Sequence, residues 1–174
     1  MSKNLLSKIK RMLTPPDPDK FSERLTGLEK KDKLNGHYIR YQIAGIFTNE
    51  NSVVLDAGCA NKYGEQFLEG KYIGIDKIHG QDLEIWEADF KFDTFIGLEV
   101  IEHLKNYDNF VRLAKRAKQY IIISTPIVPT THLNYYHLHD FTEKQIRNLF
   151  VDSTWGEYAF LKQKQCGIFI FKKR

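Results

Sequence analysis

Four acidic residues each close a short apolar run: Asp56 after VVL, Asp76 after YIGI, Asp89 after LEIWEA and Glu99 after DTFIGL. One such acid is commonly a turn former, but four at successive strand ends put a row of carboxylates along one rim of a sheet. That rim repels anions and suits a ligand with hydroxyls, an amine and a positive centre. Glu99, Glu102 and His103 stand at i, i+3 and i+4, so a helical turn there gathers two carboxylates and an imidazole on one face. The loop from Ile127 to Asp140 carries three histidines, and His137 or His139 closing over that face would complete a donor set suited to a divalent metal. A neutral imidazole also accepts a proton near pH 7, which makes His103 and His137 candidate general bases.

The segments around these residues indicate how they are positioned. Val53, Val54 and Leu55 form a strand buried on both faces, and Gly58, two residues past Asp56, allows a ligand close to the backbone. YGEQFLEG, from Tyr63, reads as a short helix ending at Gly70. Further strands are expected at Tyr72–Asp76, Leu83–Ala88, Asp93–Leu98 and Tyr120–Ser124, the last stopped by Thr125 and Pro126. Helical spacing covers Phe21–Leu34 and Leu34–Phe47, the latter a mostly buried helix with Leu34, Tyr38, Tyr41 or Gln42, and Gly45 on one side and Ile39, Ile43, Ile46 and Phe47 on another. Tyr107–Lys118 is a further helix with Phe110, Val111, Leu113, Ala114 and Ala117 inward, and Thr142 caps TEKQIRNLF. Trp155–Leu161 and Gly167–Phe171 form a terminal hairpin across KQKQ. Strands separated by helices pair in parallel with right-handed crossovers, whereas the short last link permits antiparallel pairing. The expectation is a three-layer α/β/α sheet, mostly parallel, with a C-terminal antiparallel hairpin.

A chain of 174 residues with 42% apolar content supports one core. The organisation expected is a basic arm and proline-rich linker over 1–20 (Pro15, Pro16, Pro18), then one domain over 21–174. The net charge of +4 is mild and lies largely at the two ends, as LLSKIKRML and FKKR, which read as solvated tails before nucleic-acid or membrane contacts. Cys59 and Cys166 lack metal spacing, so reduced thiols and a cytoplasmic location are expected, with Cys59 a small buried hydrophobe. No run reaches the roughly 18 apolar residues of a membrane span.

These motifs together resemble the class I S-adenosylmethionine-dependent methyltransferases. VVLDAGCANKYG is similar to the first cofactor motif, YIGID to the second, EADF to the third and FDTFIGLEVIEHL to the fourth. STP followed by YYHLHDFT is similar to the segment after the next strand in the small-molecule and sugar methyltransferases. The resemblance covers Ser52 to Phe150 and implies a Rossmann-like sheet of seven strands, the last inserted antiparallel between two others. It implies S-adenosyl-L-methionine as cofactor, with Asp56 and the Gly58, Cys59, Ala60, Asn61 turn at its aminoacyl end. Asp76, followed by Lys77, would take the ribose hydroxyls, Asp89 the adenine amino group, and Phe90 or Leu98 the ring face. Glu99, His103 and His137 would lie at the methyl group as the catalytic set.

The chain departs from the family at Ala60 and Lys62, where glycines are usual, and in the 12 residues between Asp76 and Asp89, too few for the usual helix. The small-RNA 2′-O-methyltransferases use a similar Glu-x-x-Glu-His with a distal histidine, matched here by His137. EVIEHL also occurs in relatives without metal, and no metal ligand is assigned on sequence. The reading is methyl transfer to oxygen or nitrogen of a small-molecule or sugar-like acceptor. The alternatives are an RNA 2′-O-methyltransferase with a metal site and a non-catalytic interaction module of the same fold.

Overall fold

The computed structural model describes residues 31–174. The expected arm over 1–20 and most of the expected helix from Phe21 lie outside them. Six strands form one sheet: β1 (Val53–Ala57), β2 (Lys71–Ile75), β3 (Thr94–Leu98), β4 (Tyr120–Pro126), β5 (Trp155–Gln163) and β6 (Cys166–Lys173). Their order is β2-β1-β3-β4-β6-β5. β1 to β4 are parallel, while β6 runs antiparallel to both β4 and β5 and so lies between them. The helices are α1 (Lys31–Gly45), α2 (Asp108–Ala114) and α3 (Glu143–Phe150).

The period-two alternation of β-strands sends neighbouring residues to opposite faces. Val54, Ile96, Ile122, Ile168 and Ile170 meet Tyr41 and Ala44 of α1. Leu55, Phe95, Ile121, Ile123, Phe169 and Phe171 meet Phe110 and Leu113 of α2 and Ile146 and Phe150 of α3. Both faces are therefore covered, which is why β3 and β4 read as continuous apolar runs. Trp155 is fully buried at the start of the hairpin, as expected of a core tryptophan.

Three expectations need correction. Leu83–Ala88 pairs with no strand, because Asp82 closes a turn there: its carbonyl accepts from Ile85 N and Trp86 N, and its side chain from Glu84 N. The sheet accordingly has six strands among the described residues rather than seven. The segment after Lys62 makes one 3-10 turn, Tyr63–Phe67, and no longer helix. In α1 the inward face is Arg40, Tyr41 and Ala44, while Ile39 and Ile46 are 46% and 75% exposed. The helix is turned by two polar side chains that reach the carboxylates beneath it, described below. The link after Asp76 is one 3-10 turn, Lys77–His79, as its length required.

Candidate active site

Parallel strands place their carboxyl ends on one rim, and three of the four acids stand there. Asp56, in β1, is 1% exposed. Its Oδ2 accepts from Tyr41 Oη at 3.0 Å and from Tyr72 Oη at 2.8 Å. Gly64 makes this possible, since a Cβ there would stand 2.8 Å from Asp56 Oδ2 and overlap the Tyr41 ring. Burial pushes the Asp56 carboxyl up to about 6, against the lowering effect of the two phenols. The same burial, with the carboxylate beside them, holds the Tyr41 and Tyr72 phenols far above their ordinary value.

Past β1 the chain makes a left-handed turn, with φ of 82° at Gly58, 46° at Ala60 and 63° at Lys62. The two positions where the family usually has glycine are thus ones where this backbone adopts a glycine-like conformation. A Cβ on Gly58 would collide with Val100. Asp76, just past β2, holds the turn from below: its Oδ2 accepts from Ala60 N at 3.0 Å, while its Oδ1 caps the next turn through Ile78 N. His79 Nε2 adds a 2.9 Å contact to the Ala60 carbonyl. Cys59 is buried, its thiol pushed up to about 11 chiefly by burial, so it behaves as packing rather than as a nucleophile. Asn61 and Lys77 are exposed, the latter 3.5 Å from Asp82.

Beyond β3, Glu99 also has a left-handed backbone, φ 58°. Its Oε1 accepts from Ser124 Oγ at 2.9 Å, its Oε2 from Cys166 Sγ at 3.2 Å, and Arg40 Nη2 of α1 lies 3.7 Å from Oε2. Burial and the Glu99 charge push the Cys166 thiol up to about 12. The reversal at Glu99 starts the 3-10 turn Ile101–His103, which turns Glu102 inward. Glu102 is 1% exposed; its Oε2 accepts from Thr125 Oγ1 at 3.1 Å, and its Oε1 has no hydrogen-bond partner among the described residues. Burial, reinforced by Glu99, raises its carboxyl well above the usual range.

The histidine loop is tied to this turn by Leu138 N to Glu102 O at 2.7 Å and by His103 Nδ1 to the Tyr136 carbonyl at 2.9 Å. A carbonyl only accepts, so Nδ1 carries the proton in the neutral ring and Nε2 the lone pair. His137 Nδ1 is 2.7 Å from Thr130 Oγ1, and the two imidazole rings meet edge to face at 4.8 Å. Glu102, His103 and His137 bring one donor atom each within 4.8 Å of one another. Two imidazole nitrogens and a carboxylate oxygen suit a divalent transition metal, and the orphaned Glu102 oxygen is what such an ion would satisfy. Of the two loop histidines considered, it is His137 that closes over the turn. His139 points elsewhere, its Nε2 on the Leu104 carbonyl and its ring against Tyr107.

Asp89 does not close a strand. It is exposed in the link to β3, next to Ala88, whose carbonyl is held by Arg116. It also precedes Asp93, which bonds Val53 N at the amino end of β1. Gln81 stands beside Asp76 instead, its N–H on the Asp76 carbonyl, and Asp82 follows it with its carboxylate 3.5 Å from Lys77. Phe90 and Leu98 belong to clusters on opposite faces of the sheet. Sequence reasoning missed Arg40, Tyr41, Tyr72 and Thr125, for which a lone arginine on the inner stripe of α1 was the available signal.

No protein-family model matches this sequence, and no curated protein does. Solved structures do match by shape. A chain of the Pnkp1/Rnl/Hen1 RNA repair complex has a TM-score of 0.58 at 16% identity, covering 99% of this chain and 48% of that one. This chain therefore spans about half the length of that relative. The N-methyltransferase NodS from Bradyrhizobium japonicum WM9, in complex with S-adenosyl-L-homocysteine, has a TM-score of 0.56 at 14% identity, covering 96% and 97%. An S-adenosylmethionine-dependent methyltransferase from Mesorhizobium loti has 0.59 at 9%, covering 79% and 96%. At such identities the likeness establishes architecture, and the chain has the fold of the class I S-adenosylmethionine-dependent methyltransferases.

Proposed function

We propose that the protein is an S-adenosylmethionine-dependent methyltransferase acting on an oxygen or nitrogen of a small-molecule or sugar-like acceptor. The observation that carries this is the left-handed Gly58–Lys62 turn held between two buried carboxylates, Asp56 and Asp76. The residues fit the cofactor: Gly58, Ala60 and Lys62 give the turn after β1 its left-handed backbone beside the Asp56 carboxylate, and no cation pairs with Asp56 among the described residues. When bound, the cofactor supplies an electrophilic methyl on a sulfonium. Asp56 balances the ammonium of its aminoacyl end, and Asp76 offers carboxylate acceptors to the ribose diol. Gln81 and Asp82 take the edge of the base in place of Asp89. Glu99 lies on the methyl side of the rim, and His103 or His137 accepts the acceptor's proton. Catalysis here is alignment and exclusion of water more than activation.

Calorimetry with S-adenosylhomocysteine tests this. Asp76→Asn should weaken binding by about 1.5–3 kcal/mol, the usual worth of a hydrogen bond to a charged group. Wild-type affinity in a folded Asp76→Asn protein would remove Asp76 from the ribose, and no binding to the wild type would leave the interaction-module reading.

A second reading, 2′-O-methylation at an RNA end with a divalent ion, is favoured by the convergence of Glu102, His103 and His137. Those three would hold the ion, which would supply Lewis acidity to a ribose hydroxyl. Methyl transfer to a short RNA should then vanish when its terminal diol is oxidised, and transfer that survives oxidation would exclude this reading.

A further inference from the structure

Arg40 is a second buried anomaly on the rim, and the roles assigned above leave it without one. It projects from the inner face of α1, its side chain 9% exposed, and its Nε has no hydrogen-bond partner among the described residues. Among the described residues its ion pair is one loose contact, Nη2 to Glu99 Oε2 at 3.7 Å, on an oxygen already engaged by Cys166. An arginine buried for structure alone normally spends its fork on a carboxylate or on carbonyls, because a buried unpaired N–H forfeits its hydration. Gly36, one turn earlier, lies against this guanidinium, and a Cβ there would stand 3.7 Å from Nη1. The Gly36 carbonyl accepts from Gln163 Nε2 at 3.4 Å, while Gln163 Oε1 is itself buried without a partner among the described residues. Arg40 and Gln163, each with a buried polar atom unpartnered among the described residues, thus flank one glycine of α1.

We infer that Arg40 binds an anionic oxygen group, a carboxylate or a phosphate, of a ligand held at this rim, with Glu99 as its place-holding partner in the free protein. A planar fork meets paired oxygens bidentately, so Nε and one Nη bind the anion together while Glu99 keeps its contacts to Ser124 and Cys166. The rim is therefore acidic on the cofactor side and carries the Arg40 cation where Glu99, past β3, reaches Cys166 of the hairpin. Two sources of the anion share this chemistry: the aminoacyl carboxylate of the cofactor and an acidic group on the acceptor. The inference rests on the methyltransferase reading for the identity of the ligand.

The test follows the Arg40 Nε–H resonance in 15N-labelled protein, assigned by its loss in Arg40→Gln and, should that variant misfold, in Arg40→Lys. Three probes are titrated: S-adenosylhomocysteine, 5′-methylthioadenosine, which lacks the carboxylate, and inorganic phosphate with and without S-adenosylhomocysteine. A saturable shift with S-adenosylhomocysteine but not with methylthioadenosine assigns the anion to the cofactor. A saturable shift with phosphate on top of bound S-adenosylhomocysteine assigns it to the acceptor. Arg40→Lys, which keeps the charge and loses the fork, should bind the same probe several-fold more weakly. If S-adenosylhomocysteine binds by calorimetry while the resonance ignores its carboxylate and millimolar phosphate alike, the inference is overturned and the methyltransferase reading stands. If S-adenosylhomocysteine does not bind, that reading falls, and the phosphate titration alone decides for or against Arg40.

Discussion

Asp56 carries its carboxylate where water does not reach, with two phenols as its solvation. Its folded-state value of about 6 lies above the roughly 3.9 of a free aspartate. The folded chain therefore holds this proton more tightly than the unfolded one. The stabilising contribution is complete below the unfolded value and is lost as pH rises through 6, a loss of about 3 kcal/mol by pH 8 for a shift of about two units. Asp56→Asn should come close to the wild type near pH 4, gain on it as the pH rises to about 6.5 and keep that margin to pH 8, by urea titration across that range; a difference independent of pH would show that Asp56 does not titrate as described. The same variant should lose affinity for the ammonium-bearing cofactor, so stability and binding move in opposite directions.

At the scale of elements, the turn after β1 and the cap of α3 are separable from chemistry. Ala60 and Lys62 hold left-handed conformations that cost an ordinary L-residue about 1–2 kcal/mol each. Lys62 is exposed and caps the Tyr63–Phe67 turn without a side-chain bond. Lys62→Gly should raise stability by about 0.5–1 kcal/mol after the entropy of the added glycine is counted. In urea melts, an unchanged or lower midpoint would mean that the lysine stem packs usefully on the turn. α3 begins with a reciprocal capping box, Thr142 to Gln145 N and Gln145 back to Thr142 N. Thr142→Ala should cost about 1 kcal/mol in the same assay. The short link between Asp76 and β3 was readable from its length alone. The turn at Leu83–Ala88 was not, because an apolar run beside an aspartate fits a strand as well as a closed turn.

On the scale of the whole molecule, the Glu102, His103 and His137 group exists only because the loop after β4 folds back across the end of β3. An ion that binds this arrangement and not the unfolded chain raises the melting temperature by mass action. Manganese should therefore raise the melting temperature of the wild type and leave Glu102→Gln unmoved, while S-adenosylhomocysteine shifts both. Burial holds Glu102 towards its protonated form, so the ion must displace a proton and its apparent affinity should climb with pH. A manganese shift that persists in Glu102→Gln would place the ion elsewhere.

Periodicity and punctuation in the chain determined the layered sheet, its parallel strands, the antiparallel hairpin and the carboxylates at Asp56, Asp76 and Glu99, since strand ends and turns are written in adjacent residues. Only the tertiary structure decided that α1 turns Arg40 and Tyr41 inward, that His137 and not His139 closes over Glu102, and that Asp89 stands apart from the rim. Those outcomes depend on side chains far apart in sequence that satisfy each other's buried polar atoms, and local order carries no record of such partners.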